Sequence, residues 1–118
     1  GVLFCGGMQM TTKAASNDYI NYSMSWSGNK CTVKTSPCVV TRGYYMNAYV
    51  FLYNSSGSLL GSNACNNTAT KNTATAAFSK LSVKKALGVH YCTSKAGDAG
   101  TVYGYTKLER NKKSTSDI

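Results

Sequence analysis

Residues 44–53 constrain the fold of this chain more than any other segment, because their side chains alternate with the two-residue period of a β-strand. In an extended strand, successive side chains point to opposite faces of the sheet. One face carries Met46, Ala48, Val50 and Leu52, and the other carries Tyr45, Asn47, Tyr49, Phe51 and Tyr53. A strand that is apolar on both faces is usually buried on both. We therefore expect that the face with the tyrosines, the tyrosine row, is covered by other parts of the chain. The alternative is that this row faces solvent.

Further segments with strand character recur along the chain, separated by turns rich in Gly, Asn and Ser. They cover residues 19–26, 31–35, 58–64, 73–81, 87–93 and 101–108. Strands at this spacing are typical of sandwiches and barrels. We therefore predict an all-β fold, an antiparallel β-sandwich of about seven or eight strands with an immunoglobulin-like or similar Greek-key arrangement.

At 118 residues the chain has the length of one domain, and we predict a single β-sandwich domain over residues 1–109. Residues 110–118 are basic and have little to bury, so we predict a flexible C-terminal tail there. Within the domain, residues 88–92 (Gly-Val-His-Tyr-Cys) loosely resemble the immunoglobulin-type strand that pairs a Tyr with a Cys. The resemblance stops there, because Trp26 precedes Cys31 instead of following it.

The charge of the chain is strongly positive, since 13 Lys and Arg residues face 4 Asp and Glu residues and give a net charge of +9. A surface of this charge attracts polyanions such as acidic polysaccharides, anionic lipids or nucleic acids. Only two of these basic residues are Arg. The planar guanidinium of Arg forms paired hydrogen bonds with phosphates and bases, so the scarcity of Arg disfavours a nucleic-acid partner. Alternatively, the lysines serve only to keep a β-protein soluble and its strand edges unpaired.

Five cysteines stand at positions 5, 31, 38, 65 and 92, and no pair has the CxxC spacing of zinc sites and redox motifs. Cysteines scattered among Ser, Thr and Asn favour an extracellular disulfide framework. We predict two disulfides among Cys31, Cys38, Cys65 and Cys92, in one of three pairings, with Cys5 left over near the terminus. The alternative is that all five are small buried thiols.

Few residues in the sequence could carry catalysis. His90 is the only histidine, and the acidic residues are Asp18, Asp98, Glu109 and Asp117. His90 and Cys92 would share a strand face, but a disulfide at Cys92 explains the pair better than a nucleophile and its base. We predict no enzyme activity, no metal and no cofactor. We also predict no membrane span, since no apolar run reaches the length of a transmembrane helix.

A solvent-facing tyrosine row would be a platform of the kind that stacks on sugar rings or anchors a protein partner. We predict that the binding residues are Tyr45, Tyr49, Tyr53, Tyr103 and Tyr105, with Lys84, Lys85 and Lys107 beside them. The leading hypothesis is a non-catalytic binding module, secreted or at the cell surface, that recognises a polysaccharide or an anionic cell-envelope polymer. The alternatives are a secreted cationic bacteriocin or toxin that acts on bacterial envelopes, and a structural domain of a larger surface protein with no ligand.

Overall fold

The computed structural model describes residues 11–16, 19–68, 72–94 and 101–110. Most of them lie in eight β-strands, numbered here in chain order. The strands are β1 (Thr11–Ser16), β2 (Ile20–Ser27), β3 (Lys30–Pro37), β4 (Tyr45–Tyr53), β5 (Leu59–Thr68), β6 (Ala74–Ser79), β7 (Lys85–Thr93) and β8 (Thr101–Glu109). A short 3-10 helix, Val39–Thr41, connects β3 to β4.

The strands form two antiparallel four-stranded sheets that pack face to face, so the predicted β-sandwich is confirmed. The strand order is β1-β2-β3-β6 in one sheet and β5-β4-β7-β8 in the other. The chain passes between the sheets after β3, after β5 and after β6. This interleaving brings strands that are distant in sequence side by side, as in Greek-key sandwiches.

Strand β1 is the element that the sequence pattern does not predict. It pairs with β2 along its whole length, from Thr11 opposite Trp26 to Ser16 opposite Asn21. The sequence of β1, Thr-Thr-Lys-Ala-Ala-Ser, has no alternation of large apolar and polar residues. Its strand conformation therefore follows from pairing with β2, which the local pattern does not encode. The other seven strands begin and end within four residues of their predicted bounds.

Strand β4 lies in the middle of its sheet, between β5 and β7, and only one of its faces packs on the other sheet. The side chains on that inner face are fully buried, and they are Met46, Ala48, Val50 and Leu52. The opposite face carries four half-buried aromatic residues, Tyr45, Tyr49, Phe51 and Tyr53, and the buried Asn47. The aliphatic face is therefore the core face, and the tyrosine row points outward.

Two glycines on the inner face of β7 and β8 leave room for large side chains of the opposite sheet. A Cβ atom on Gly104 would lie 2.6 Å from the ring of Tyr22. One on Gly88 would lie 3.1 Å from both Met24 and Val33 of the opposite sheet, and 2.4 Å from Oγ1 of Thr106 on the neighbouring strand. Carbon atoms do not approach other heavy atoms this closely in a packed core. Glycine at these two positions thus allows the sheets to meet.

His90 lies among these small residues on the inner face of β7, with none of its surface exposed. Its Nδ1 atom lies 2.9 Å from Oγ1 of Thr35 on β3, and its Nε2 atom lies 3.0 Å from Oγ1 of Thr106 on β8. Burial lowers the pKa of His90 from 6.5 to about 4, so the ring is neutral near pH 7. A neutral imidazole has one donor and one acceptor, so one threonine hydroxyl accepts a hydrogen bond and the other donates one.

No disulfide joins Cys31, Cys38, Cys65 and Cys92, so the predicted framework of two bridges among these four residues is not found. Cys31 is fully buried on the inner face of β3, and burial raises the pKa of its thiol to about 12. Burial, with a smaller contribution from the nearby Cys38, raises the pKa of Cys92 to about 11. Cys5 lies outside the described residues.

The packing of β3 against β7 explains why Cys31 and Cys92 do not bridge the two sheets. Thr35 of β3 faces His90 of β7. Cys31 is four residues before this contact on β3, whereas Cys92 is two residues beyond it on β7. The contact between Val33 and the Gly88 position shows that the two strands run in the same direction. The two cysteines are therefore separated by roughly 20 Å along the strands, and a disulfide needs Cα atoms within about 7 Å.

Arg110, predicted as the first residue of a flexible tail, is held by the sandwich. Its backbone N–H donates a 2.8 Å hydrogen bond to the carbonyl oxygen of Lys84. Its guanidinium donates a hydrogen bond to Oδ1 of Asn29 in the β2–β3 turn. Arg110 thus contacts the domain, and the rest of the predicted tail, residues 111–118, lies outside the described part of the chain.

Because His90 is buried in its neutral form, we predict that the domain loses stability in mild acid. The pKa of His90 is about 4 in the folded chain and near 6.5 in the unfolded chain, so the unfolded state binds the proton more readily. Stability is full above pH 6.5 and falls as the pH approaches 4, by about 3 kcal/mol at pH 4. Urea denaturation at closely spaced pH values measures this loss. His90→Gln, which keeps a donor and an acceptor, should flatten the curve, and an equally steep curve for that variant would contradict the assignment.

Cys31 is predicted to be the least reactive of the described thiols. A rise in pKa from 9.0 to about 12 lowers the thiolate fraction near pH 8 by roughly a thousandfold, and burial blocks access as well. Time-resolved labelling with a thiol reagent, followed by peptide mapping, should show that Cys31 reacts only in denaturant. Labelling of Cys31 in the native protein as fast as of the half-buried Cys65 would be incompatible with its position in the core.

Candidate binding face

The outward face of the β5-β4-β7-β8 sheet collects most of the residues that the sequence analysis singled out. Residues directly opposite one another on antiparallel strands project from the same face. The register forms three rows across β4, β7 and β8, which are Tyr53-Lys85-Glu109, Phe51-Leu87-Lys107 and Tyr49-Val89-Tyr105. We call this surface the outer face.

Three rings of the outer face stack against one another. The ring centroid of Tyr49 lies 6.1 Å from that of Phe51 on the same strand, and the planes differ by 7°. It lies 6.0 Å from that of Tyr91 on β7, and the planes differ by 22°. All three side chains are half-exposed. We call these three residues the aromatic platform, and their mutual stacking fixes the orientation of the exposed rings.

A hydrogen-bond network holds the polar edge of the platform. The hydroxyl of Tyr91 donates to Oδ1 of Asn66 on β5, at 3.3 Å, and lies near the side chain of Tyr49 on β4. Burial is the largest cause, and the Tyr49 hydroxyl the second, of a rise in the pKa of Tyr91 from 10.0 to about 12. The Tyr91–Asn66 hydrogen bond thus links β7 to β5 across β4, next to the ring of Tyr49.

A cleft of about 520 Å³ lies at the end of the outer face where β4 terminates. Its walls include Tyr53, Lys85, Leu87, Lys107 and Glu109. Two lysines and one glutamate therefore line the cleft together with a tyrosine and a leucine. We call this site the Tyr53–Lys85 cleft. It can accept a ligand that combines an apolar face with polar or charged groups at its edge.

The turn between β4 and β5 shapes the rim of this cleft. Oδ1 of Asn54 accepts hydrogen bonds from the backbone N–H groups of Ser56, at 3.0 Å, and Ser58, at 2.9 Å. Gly57, which lines the cleft, has a φ of +87°, a conformation that glycine adopts without a steric penalty. The side chain of Asn54 thus closes the hairpin and places Gly57 beside Tyr53.

The structure brings together four of the eight predicted binding residues, and a fifth lies on the same outer face. Tyr53, Lys85 and Lys107 line the cleft, and Tyr49 is the centre of the platform. Tyr105 lies on the edge strand β8 opposite Val89 and is 49% exposed.

The other three predicted residues do not join this group. Tyr45 begins β4 at the end away from the cleft, opposite Thr93. Lys84 is exposed just before β7 and does not line the cleft, although its backbone N–H donates to the carbonyl oxygen of Tyr53. Tyr103 lies within β8, and its side chain is outside the described residues.

Sequence reasoning missed the contributions of Leu87, Tyr91, Glu109 and Asn66 to this face. The alternation of Leu87, Val89 and Tyr91 is visible in the sequence, but it does not reveal that these larger residues face outward. The signal that could have indicated it is the set of small or polar residues between them, since Gly88 leaves room for Met24 and Val33 and His90 meets Thr35 and Tyr22 of the opposite sheet. No local pattern in the sequence indicates the register in which β4 pairs with β7.

The residues considered for catalysis lie away from the outer face. His90 and Cys92 share a strand face, as predicted, but it is the inner face, where both are buried. Within the described ranges, no group of three or more His, Cys, Asp or Glu side chains is arranged to hold a metal ion. No helix in the described part of the chain is long and apolar enough to cross a membrane.

Comparisons with known proteins found no matching family model, no matching curated protein and no matching solved structure. The functional argument therefore depends on the geometry and chemistry of this chain. The outer face groups partly exposed aromatic and charged residues on one surface of the described structure.

The hydrogen bonding of Tyr91 gives a test of the platform that needs no ligand. A spectrophotometric titration of the wild-type protein should include one tyrosine that ionises near pH 12. Tyr91→Phe should remove that component from the titration curve. Tyr49→Phe should shift the component to lower pH, because it removes the second cause of the raised pKa. Loss of an ordinary component near pH 10 in Tyr91→Phe would contradict the described network.

Proposed function

We propose that this domain is a non-catalytic, exported binding module whose outer face holds a polysaccharide chain of a cell surface or envelope. The observation that carries the proposal is the outward orientation of Tyr49, Phe51 and Tyr91, which stack in an ordered group on the face that the core does not use. Aromatic faces pack well against the apolar C–H faces of sugar rings, while the tyrosine hydroxyls bond with sugar hydroxyls.

The charges of the cleft favour a glycan over a nucleic acid. Lys85 and Lys107 can donate hydrogen bonds and attract an acidic substituent, whereas the carboxylate of Glu109 can accept hydrogen bonds from hydroxyl groups. The same carboxylate would repel a continuous track of phosphates. A sugar chain with hydroxyls and occasional acidic groups matches this mixture better than a nucleic-acid strand does.

In this proposal, the two parts of the outer face contribute to binding in different ways. The platform offers contact area that does not depend on charge, so its contribution should persist at high salt. The lysines of the cleft act by electrostatic attraction, which salt screens to a range of about 8 Å at physiological ionic strength. Binding to a neutral polysaccharide should therefore depend on the platform, and binding to an acidic one should depend on both parts.

Replacement of platform and cleft rings should weaken binding to insoluble polysaccharides and bacterial cell walls. The Tyr49→Ala, Tyr53→Ala double variant loses two contact rings, and we expect at least tenfold weaker binding, from about 1 kcal/mol or more per ring. Pull-down at low and high salt measures the effect. Leu81→Ala is the control, because Leu81 is 85% exposed in the turn between β6 and β7 and belongs to neither the platform nor the cleft.

The salt series separates this proposal from its competitors. Binding that survives high salt and disappears in the double variant supports the glycan-binding face. Equal binding of the double variant and the wild type would reject a role for the rings. Binding lost between low and physiological salt, whatever the variant, would assign the attraction to the net charge of +9.

A further inference from the structure

The connection between β3 and β4 exposes two adjacent aliphatic side chains at the end of the sandwich opposite the Tyr53–Lys85 cleft. Val39 is 76% exposed and Val40 is 64% exposed, although valine is among the residues most often buried. Both lie in the short 3-10 helix Val39–Thr41. Neither is needed for the core, so their exposure calls for an explanation other than packing within this chain.

Two partly exposed tyrosines accompany the valines. Tyr44 ends the same connection and is 37% exposed, and Tyr19, which precedes β2, is 45% exposed. The hydroxyl of Thr41 donates to the carbonyl oxygen of Tyr19 at 2.5 Å, and the N–H of Tyr44 donates to the carbonyl oxygen of Thr41 at 2.8 Å. Tyr19 and Tyr44 therefore belong to the same end of the molecule as the two valines. We call Val39, Val40, Tyr19 and Tyr44 the apolar tip.

The tip is anchored to the body of the domain. Thr41 is buried, and its hydroxyl also accepts a hydrogen bond from the backbone N–H of Cys38 at 3.0 Å. The backbone N–H of Thr41 bonds to the carbonyl oxygen of Cys38 at 3.2 Å. These hydrogen bonds hold the backbone of the turn, so the two valines project outward from a fixed backbone. Binding would therefore cost little conformational entropy of the backbone.

The chemistry of the tip fits a lipid bilayer interface. Two aliphatic side chains can enter the region between headgroups and acyl chains, and tyrosine favours that depth because one end of its ring is apolar and the other is polar. Arg42, exposed within the same connection, is placed to meet anionic headgroups, and the net charge of +9 adds attraction over a longer range. No other atom lies within 4 Å of a Cβ built on Gly43, so the backbone beside the valines is open.

A bilayer explains these features better than a protein partner does. A stable protein interface buries about 800 Å² on each side and usually has a well-packed centre. The tip offers a small group of apolar side chains beside open space. We infer that the apolar tip inserts shallowly into the interface of an anionic lipid bilayer and so places this domain on a membrane surface.

This inference is independent of the proposed glycan site. Strand β4 starts next to the tip, at Tyr45, and ends at the cleft, at Tyr53. Nine strand residues span roughly 25–30 Å. The domain could therefore touch a membrane at one end and hold a polysaccharide chain at the other.

Vesicle flotation tests the inference with the whole chain. We expect wild-type protein to float with vesicles of phosphatidylcholine and phosphatidylglycerol, and to float less with vesicles of phosphatidylcholine alone. Val39→Asp, Val40→Asp should weaken binding to the anionic vesicles at least about tenfold, since burying one valine accounts for about that factor. Leu81→Asp is the control for one added charge, to be compared with Val40→Asp alone, because Leu81 is 85% exposed in the β6–β7 turn and should leave binding unchanged.

A second measurement reports insertion directly. Trp26 is buried in the core, so a tryptophan introduced by Val40→Trp is the one able to meet lipid in the described structure. Its fluorescence should shift to the blue and be quenched by brominated lipid when anionic vesicles are added. Tyr49→Ala, Tyr53→Ala should bind vesicles like the wild type even if it no longer binds polysaccharide, which keeps the two proposals distinguishable.

Three results would overturn the inference. Equal flotation of the Val39→Asp, Val40→Asp variant and the wild type would mean that charge alone holds the domain to vesicles. Absence of wild-type flotation with both compositions would reject the membrane and leave a protein partner for the tip. An equal loss in the Leu81→Asp control would show that the added negative charge, and not the position of the valines, weakens binding.

Discussion

The packing of a single face of β4 determines the arrangement of the rest of the sandwich. Met46, Ala48, Val50 and Leu52 meet the opposite sheet and are completely buried. Because side chains alternate along a strand, burial of these four residues requires the aromatic residues between them to project to the other side. A shift of one residue in the pairing of β4 would reverse the two faces and place the tyrosine hydroxyls in the core without partners.

The same constraint explains the composition of β7 and β8. The inner face of β7 carries Ala86, Gly88, His90 and Cys92, which are small or polar, because Tyr22, Met24 and Val33 reach across from the other sheet. The larger residues of β7 therefore face outward with the aromatic residues of β4. His90 occupies the remaining space and satisfies both of its nitrogen atoms with threonine hydroxyls from two neighbouring strands. A polar group buried this completely is stable only when all of its hydrogen bonds are made.

The strands and the sandwich could be predicted from the sequence because period-two alternation and turn residues are local signals. Which face of β4 is buried could not be predicted, since Leu52 and Phe51 are both apolar and the choice depends on the opposite sheet. The binding face could be predicted only in part for the same reason. Tyr49 and Tyr53 belong to one strand, whereas Tyr91 and Glu109 reach them through the register of β7 and β8.

The cysteines illustrate a different limit of prediction from sequence composition. Their number and their Ser- and Thr-rich surroundings are typical of exported disulfide proteins, but composition has no information about the distance between thiols. Cys31 is four residues before the Thr35–His90 contact and Cys92 is two residues after it, so strand geometry alone keeps them apart.

The two surfaces singled out in this domain differ in how the fold supports them. The aromatic platform lies on strands, where neighbouring rings and a hydrogen-bond network hold each side chain, and such a surface suits a ligand with a repeating, extended shape. The apolar tip lies on a short connection whose backbone is held by the buried Thr41 while its valines project outward. A support of this kind tolerates changes in the exposed side chains, because they contribute little to the core. Substitutions at Val39 and Val40 should therefore change what the domain binds without changing whether it folds, and this separation makes the tip the more decisive place to test function.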